Sequence, residues 1–273
     1  MQQQLTNAEY HARPELSASQ CKVLLENPHK FYLGLGTEAN EAMRFGSIVH
    51  KLILEPEDFD REYAVSPKFD GRTTKGKADK AAFEAQNQTN EIITIESYQL
   101  AEKCAESVLN SRANKLLKNG IAEAAVFGQL NGVDCRCKPD YYVPSKQLIV
   151  DIKTCADSSP EGFTRMNANF KYYLQAAFYM DVMASAGKPI KQFVFVCVNK
   201  SSSPYMVGLY QLSQTAIEIG RAQYQEAIRV LNSIKDFNEP IYKDKAGHFI
   251  QTIDLPIWVI NQVNQQAEMN YAS

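Results

Sequence analysis

Two carboxylates and an amine carry the chemistry this sequence could perform: Asp140, directly after Pro139, and the pair Asp151 and Lys153 within Leu148-Ile149-Val150-Asp151-Ile152-Lys153. If the strands bearing them are neighbours, they converge on one spot. Such a spot suits a hard divalent cation such as Mg²⁺, which takes oxygen ligands and keeps several waters. Held by carboxylates, the cation can activate water and neutralise charge on a phosphate. A lysine beside it would orient or deprotonate that water, or stabilise charge developing on the phosphate. The plainer alternative is an edge strand whose charges are solvated and protect it from mispairing. Against that, Asp151 lies in an otherwise apolar run, where an unpaired charge is costly.

The elements that must position these groups are legible around them. Asn131-Gly132 suits the two positive φ angles of a type I′ turn, so it joins two paired strands, Val126–Leu130 and Val133 onward. Val143-Pro144-Ser145-Lys146 reads as a second turn, because proline fixes φ and donates nothing to a ladder. The following strand is expected over 147–154, with Asp140 closing the strand before it. Side chains alternate along a strand, so Leu148, Val150 and Ile152 share one face, and Ile149, Asp151 and Lys153 the other.

Pro139-Asp140 followed by Asp151-Ile152-Lys153 resembles the PD-(D/E)XK nuclease pattern, and the wider order of motifs resembles the RecE-type exonucleases of phages and prophages. The resemblance extends to Glu123 ahead of the hairpin, Cys135-Arg136-Cys137-Lys138-Pro139-Asp140, Asp151-Ile152-Lys153-Thr154, the segment from Tyr172 to Tyr179, and Gly46-Ser47-Ile48-Val49-His50 much earlier. It implies a restriction-endonuclease-like fold of the α/β (α+β) kind, a central mixed sheet flanked by helices. It also implies Mg²⁺, for which Mn²⁺ substitutes, held by Asp140, Asp151 and His50, with Glu123 completing the surroundings and Lys153 acting on the water. Gln175 and Tyr179, four apart on one helix face, would border the site and hold DNA. The implied activity is 5′-to-3′ digestion of double-stranded DNA ends in phage-type recombination, by a homo-oligomer working with a single-strand annealing protein. Without the resemblance, His50 reads as a boundary residue of a helix, Glu123 as a solvated helix-end charge, and Tyr179 as core. A RecB-like nuclease of other polarity, an endonuclease, and a catalytically silent DNA-end-binding protein are the alternatives.

Composition sets outer limits. With 273 residues, 45% of them hydrophobic, the chain can bury a sizeable core, and 29 basic against 31 acidic residues give no global attraction to nucleic acid. Any DNA contact must therefore come from local patches. No apolar stretch exceeds the short run Phe193 to Val198, which excludes a membrane-spanning helix, and the N-terminus lacks the pattern of a secretory leader; a cytoplasmic location is expected. Cys21, Cys104, Cys155 and Cys197 are scattered singly, as reduced core thiols are. Cys135 and Cys137 share a strand face but lack the spacing and company of a zinc or iron–sulfur site.

In chain order, Leu16-Ser17-Ala18-Ser19 offers N-caps for a helix over 20–25, which Asn27-Pro28 interrupts. Residues 42–54 read as a helix whose Phe45, Val49, Leu52 and Ile53 line one side. Next comes the basic loop 66–80. Gly71-x₄-Gly76-Lys77-Ala78 nearly matches a phosphate-binding P-loop but has alanine where the cation-binding hydroxyl belongs. Arg72, Lys75 and Lys77 are candidate phosphate contacts, which position a duplex without reading its sequence, or else a solvated loop. Residues 80–117 read as mostly helical and 170–183 as one helix. A buried strand is expected over 192–199, its hairpin partner over 206–212 and a long amphipathic helix over 215–234. No linker divides the chain, so a single domain over 1–273 is expected, with a helical N-terminal part to about residue 118 and a catalytic core over about 119–235.

Overall fold

A computed structural model describes residues 2–3, 5–36, 40–233, 248 and 250–262. The chain divides into two units, Met1–Ile234 and Lys235–Ser273. In the second, Ile250, Ile253, Leu255, Ile257 and Trp258 are exposed; the elements below all belong to the first. Its strands are β1 (Gln2–Gln3), β2 (Tyr63–Ser66), β3 (Glu91–Thr94), β4 (Ile121–Ala122), β5 (Ala125–Leu130), β6 (Val133–Cys137), β7 (Tyr141–Val143), β8 (Leu148–Cys155), β9 (Gln192–Asn199) and β10 (Val207–Tyr210). Its helices are α1 (Asn7–His11), α2 (Ala18–Glu26), α3 (Pro28–Tyr32), α4 (Glu41–Leu54), α5 (Phe59–Glu62), α6 (Thr74–Gln86), α7 (Ile95–Asn110), α8 (Pro160–Phe170), α9 (Tyr172–Ser185) and α10 (Gln214–Ser233).

The central layer is a five-stranded mixed sheet in the order β10-β9-β8-β7-β4. Strands β8 and β9 run parallel, which requires a crossover, and α8 and α9 supply it. The other pairs are antiparallel. Pro144–Lys146 forms one tight turn and Gln147 takes a left-handed φ of 50°, bringing β7 back onto β8 with Tyr141 opposite Val150. The Asn131-Gly132 turn has φ of 49° and 79°, both positive as a type I′ turn needs, and sets Leu130 opposite Val133. That hairpin, with β1, forms a separate three-stranded sheet.

Alternation along the central strands creates two cores. Leu148, Val150, Ile152, Val194, Val196 and Val198 pack with Phe45 and Val49 of α4 and Cys104 and Val108 of α7. On the other face Ile149, Phe193, Phe195 and Cys197 pack with Leu24 of α2, Leu174 and Phe178 of α9 and Ile228 of α10. Helix α2 begins in a capping box: the Ser17 hydroxyl accepts the Gln20 N–H, and Gln20 reaches back to the Ser17 N–H at 2.9 Å.

Three local expectations are corrected. Asp140 does not close the strand of the hairpin, because β6 ends at Cys137 and belongs to the other sheet; Asp140 lies in the bend that leads into β7. The segment 80–117 is interrupted by β3, which pairs in parallel with β2, so Ile92-Ile93 serves a strand where helix was expected. Two consecutive β-branched residues favour the extended chain. The helix expected over 170–183 is α9, which starts two residues later than expected, after Lys171, whose φ of 51° separates it from α8.

Helix α10 buries Ile217, Gly220, Tyr224, Ala227 and Ile228 along one stripe against α9. Its Arg221 grips Asp181 of α9 with two hydrogen bonds of 2.8 and 2.9 Å. A β-carbon at Gly220 would overlap the backbone carbonyl of Tyr173, an atom with no freedom to yield. Gly220→Ala is therefore expected to destabilise the protein by about 1–3 kcal/mol despite the better helix propensity of alanine. Urea denaturation followed by circular dichroism checks this, and an unchanged or raised midpoint would contradict the close approach.

Candidate active site

The site is organised on one residue of β8, Ile152, between the two chemical residues of Asp151-Ile152-Lys153. Strand β7 pairs with β8 only as far as Val150, so the next outward-facing backbone groups of β8 lack a strand partner there. The Ile152 N–H instead donates to Asp140 Oδ2 at 2.6 Å. The Ile152 carbonyl lies 2.9 Å from His50 Nε2. Since buried peptide groups must be paired, this one residue anchors two side chains that are distant in sequence.

His50 is delivered by α4, which Asn40 caps by accepting the Met43 N–H at 2.9 Å. Phe45, Ile48, Val49 and Ile53 bury the helix, and His50 flanks that stripe, half-buried over β8. The carbonyl can only accept, so Nε2 carries the donated proton and Nδ1 faces the site, 3.6 Å from Asp140 Oδ2. There it can share a proton with the carboxylate or, when deprotonated, join it on a cation, and a histidine whose other nitrogen is fixed by a backbone carbonyl is the arrangement that metal ligands use.

Glu123 follows β4 in a left-handed conformation, φ 49°, held by its N–H donating to the Asp140 carbonyl at 3.1 Å. A non-glycine residue in this region is uncommon and marks a position that its surroundings determine. His50, Glu123 and Asp140 each offer a donor atom, and those atoms lie within 4.8 Å of one another. One imidazole nitrogen and two carboxylates form a donor set that fits a divalent cation.

Asp151 is fully buried and is not in that set of close donors. Its Oδ2 pairs with Lys153 Nζ at 2.5 Å, and its Oδ1 accepts from the Gln175 amide at 2.8 Å. The Lys153 ammonium also lies 4.8 Å from the centre of the Tyr172 ring. Burial alone would lower the lysine pKa, but Asp151 and Asp140 more than offset it, so the group is held above its ordinary value. Lys153 is thus a firm ammonium, suited to stabilising negative charge or donating a proton. Burial, with Asp151 adding repulsion and His50 opposing it, pushes Asp140 up to about 7.

The remaining expected residues divide. Gln175 reaches the site, yet its amide is spent on Asp151. Tyr179 is partly buried against the core, its ring 6.4 Å from that of Phe193. Arg72, Lys75 and Lys77 are exposed around the start of α6, where only Gly76 of the helix is buried. Cys135 and Cys137 are fully buried, and burial pushes both thiols up, Cys135 to about 11. Two participants were missed in the sequence. Lys138 bonds Glu123 at 2.6 Å and the Asn7 side chain at 2.5 Å, tying α1 to the site; its position two before Asp140 was the available signal. Tyr172 opens the segment to Tyr179 that carries part of the resemblance, but nothing in the sequence set it beside Lys153.

A half-buried histidine, two carboxylates, and an Asp-x-Lys pair on the central strand of a mixed α/β sheet together define the PD-(D/E)XK nuclease architecture. By its match over residues 17–252, the chain belongs to the family described as PDDEXK-like domain of unknown function (DUF3799). It is similar to the crystal structure of "Putative exonuclease" from Eubacterium rectale, with 17% identity, 84% of this chain and 87% of that one covered, and a TM-score of 0.60. It is also similar to a phage related exonuclease from Haemophilus somnus 129PT, with 14% identity, 81% and 95% coverage, and a TM-score of 0.34. No curated protein matches the chain at a significant level. PD-(D/E)XK nucleases commonly use divalent metals, and the His-Glu-Asp group is suited to hold one. Among the described residues, no helix is long and apolar enough to cross a membrane.

The raised pKa of Asp140 has a consequence for stability in the absence of metal. A carboxyl whose folded pKa exceeds its unfolded value stabilises the fold below about pH 4 and loses that contribution as pH rises through about 7. Asp140→Asn keeps an oxygen for the Ile152 N–H and offers an amide to His50 Nδ1. In EDTA at pH 8 it is therefore expected to be more stable than the natural protein, by on the order of 1–3 kcal/mol. The gain should shrink to nothing toward pH 4. Thermal melts across that range test it, and a difference independent of pH would sink the electrostatic account.

Proposed function

We propose that this protein is a Mg²⁺-dependent deoxyribonuclease that hydrolyses phosphodiester bonds of double-stranded DNA from an end, in the 5′-to-3′ direction. The observation that carries the chemistry is the convergence of His50, Glu123 and Asp140 beside the Asp151–Lys153 ion pair on one strand of the sheet. The exonuclease direction rests on the RecE-like order of motifs. So do a role in phage-type recombination with a strand-annealing protein and a homo-oligomeric state, with which a cytoplasmic setting agrees.

Asp140, Glu123 and His50, joined by Asp151, would hold the cation, and Mn²⁺ would serve in place of Mg²⁺. When bound, the cation supplies an activated water and neutralises charge on the phosphate. His50 contributes through Nδ1, because its other nitrogen is committed to Ile152. Lys138 sets the direction of the Glu123 carboxylate. Gln175 orients Asp151, leaving the Lys153 ammonium aimed by an ion pair at one place. That ammonium stabilises the negative charge that grows on the phosphate oxygens, or hands a proton to the departing oxygen.

Lys153→Met keeps the length of the side chain and removes its charge. It is expected to bind DNA nearly normally and to lose turnover by a factor on the order of 10² or more. The assay is single-turnover digestion of a 5′-labelled linear duplex with Mg²⁺, with a covalently closed circle as control. Rapid digestion by the variant would remove the lysine from the mechanism. Equal digestion of the circle by the natural protein would replace the exonuclease with an endonuclease.

The exposed Arg72, Lys75 and Lys77 would hold the duplex by phosphate contacts alone. Replacing all three by Ala is expected to weaken binding and flatten its dependence on salt, since each lost contact reduces the slope by about one. Turnover at saturating DNA should change little. A slope of log affinity against log salt equal to that of the natural protein would return these residues to the solvated surface.

A further inference from the structure

Lys22 of α2 has a setting that the proposed chemistry leaves unexplained. Its ammonium lies 5.6 Å from the centre of the Tyr172 ring, and the same ring carries Lys153 at 4.8 Å. Two lysines that share one aromatic ring should repel each other, and Lys171, at the break between α8 and α9, adds to that repulsion. Burial, Lys153 and Lys171 together bring Lys22 down to about 8. Asp151 is the carboxylate that opposes this, but it is already engaged by Lys153 and Gln175. Glu26, one turn along the same helix, is taken by Lys30 at 2.8 Å. Among the described residues Lys22 has neither an ion pair nor a hydrogen bond from its ammonium.

A partly buried cation beside a second cation, with no acceptor of its own, is an unfavourable arrangement. The ring face returns some cation–π attraction but offers no lone-pair acceptor for the ammonium protons. An anion that arrives with the substrate would supply both charge and acceptors. A nucleic acid strand presents a phosphate every ~3.4 Å along its axis, so a strand whose scissile phosphate lies at Lys153 brings its neighbouring phosphates along. Helix α2 is well placed to hold such a group rigidly, because its start is fixed by the Ser17–Gln20 capping box and its Leu24 is buried in the core.

We infer that Lys22 is a phosphate-binding residue, which holds a backbone phosphate next to the scissile one and shares the Tyr172 ring with Lys153. The inference rests on the nuclease reading above. It adds a half-buried contact beside the reacting phosphate to the exposed basic residues at the start of α6.

The test uses the full chain in EDTA, so that DNA is bound and not cut, with binding followed by fluorescence anisotropy. The probes are one duplex and a set of copies in which a single neutral methylphosphonate replaces each terminal linkage of one strand in turn. The natural protein is expected to lose affinity by on the order of three- to tenfold at one or two positions. Lys22→Met should bind the fully charged duplex that much more weakly and be indifferent to the neutral linkage at those positions. Lys22→Arg should restore both the affinity and the sensitivity. Removing a half-buried charge should leave the fold intact, and circular dichroism will verify that. A Lys22→Met protein as sensitive as the natural one at every linkage would overturn the phosphate contact while leaving the nuclease reading standing. A natural protein that binds no duplex would overturn both.

Discussion

The site depends on the unpaired backbone of a single residue. Strand β7 is short and stops pairing with β8 at Val150, which leaves the N–H and the carbonyl of Ile152 facing a gap in the sheet. Asp140 fills the first need and His50 the second. Buried peptide groups left unmet would each cost about 1–3 kcal/mol, so the fold gains by bringing both side chains to that residue. A shift of β8 by one residue would send Asp151 and Lys153 to the opposite core and present different backbone groups to Asp140. Catalytic geometry and strand register are therefore one constraint.

The electrostatics follow from this burial. Four charged groups, Asp140, Asp151, Lys153 and Glu123, meet where water is largely excluded, and their partners are arranged asymmetrically. Asp151 is satisfied by Lys153 and Gln175, and Glu123 by Lys138. Among the described residues Asp140 has one backbone N–H as donor and the imidazole nearby, and burial pushes it toward neutrality. An active site that is a poor host for its own charge in the absence of ligand is a good host for a cation, because the desolvation already incurred strengthens each new attraction. Strain at Glu123 belongs to the same pattern, a local cost held in place by the β4–β7 pairing and the Lys138 ion pair.

The positive charges sort by burial. Lys153 and Lys22 share the Tyr172 ring near the site, half-buried, where small displacements matter and solvent screening is weak. Arg72, Lys75 and Lys77 surround the start of α6, a helix with almost no buried surface, where each charge is worth little alone and salt reduces its effect. The slightly negative net charge of the chain, −2, fits an arrangement in which attraction to phosphate is local.

By itself the sequence determined what local rules decide. Asn131-Gly132 specified its turn because it tolerates two positive φ angles. The alternation from Leu148 to Lys153 put Asp151 and Lys153 on one face because strand side chains alternate with period two. The apolar stripes of α4 and α10 marked their buried sides, and the family likeness tied Asp140, Asp151, Lys153 and His50 together in advance. Tertiary structure decided what depends on partners far along the chain. It placed Asp140 in a bend before β7, recruited Ile92-Ile93 into a strand paired with β2, and started α9 after Lys171 so that Tyr172 faces two lysines. It also turned Gln175 to Asp151 and Lys138 to Glu123. These contacts join residues from about a dozen to 150 positions apart, and local periodicity carries no record of which distant group will satisfy a buried polar atom.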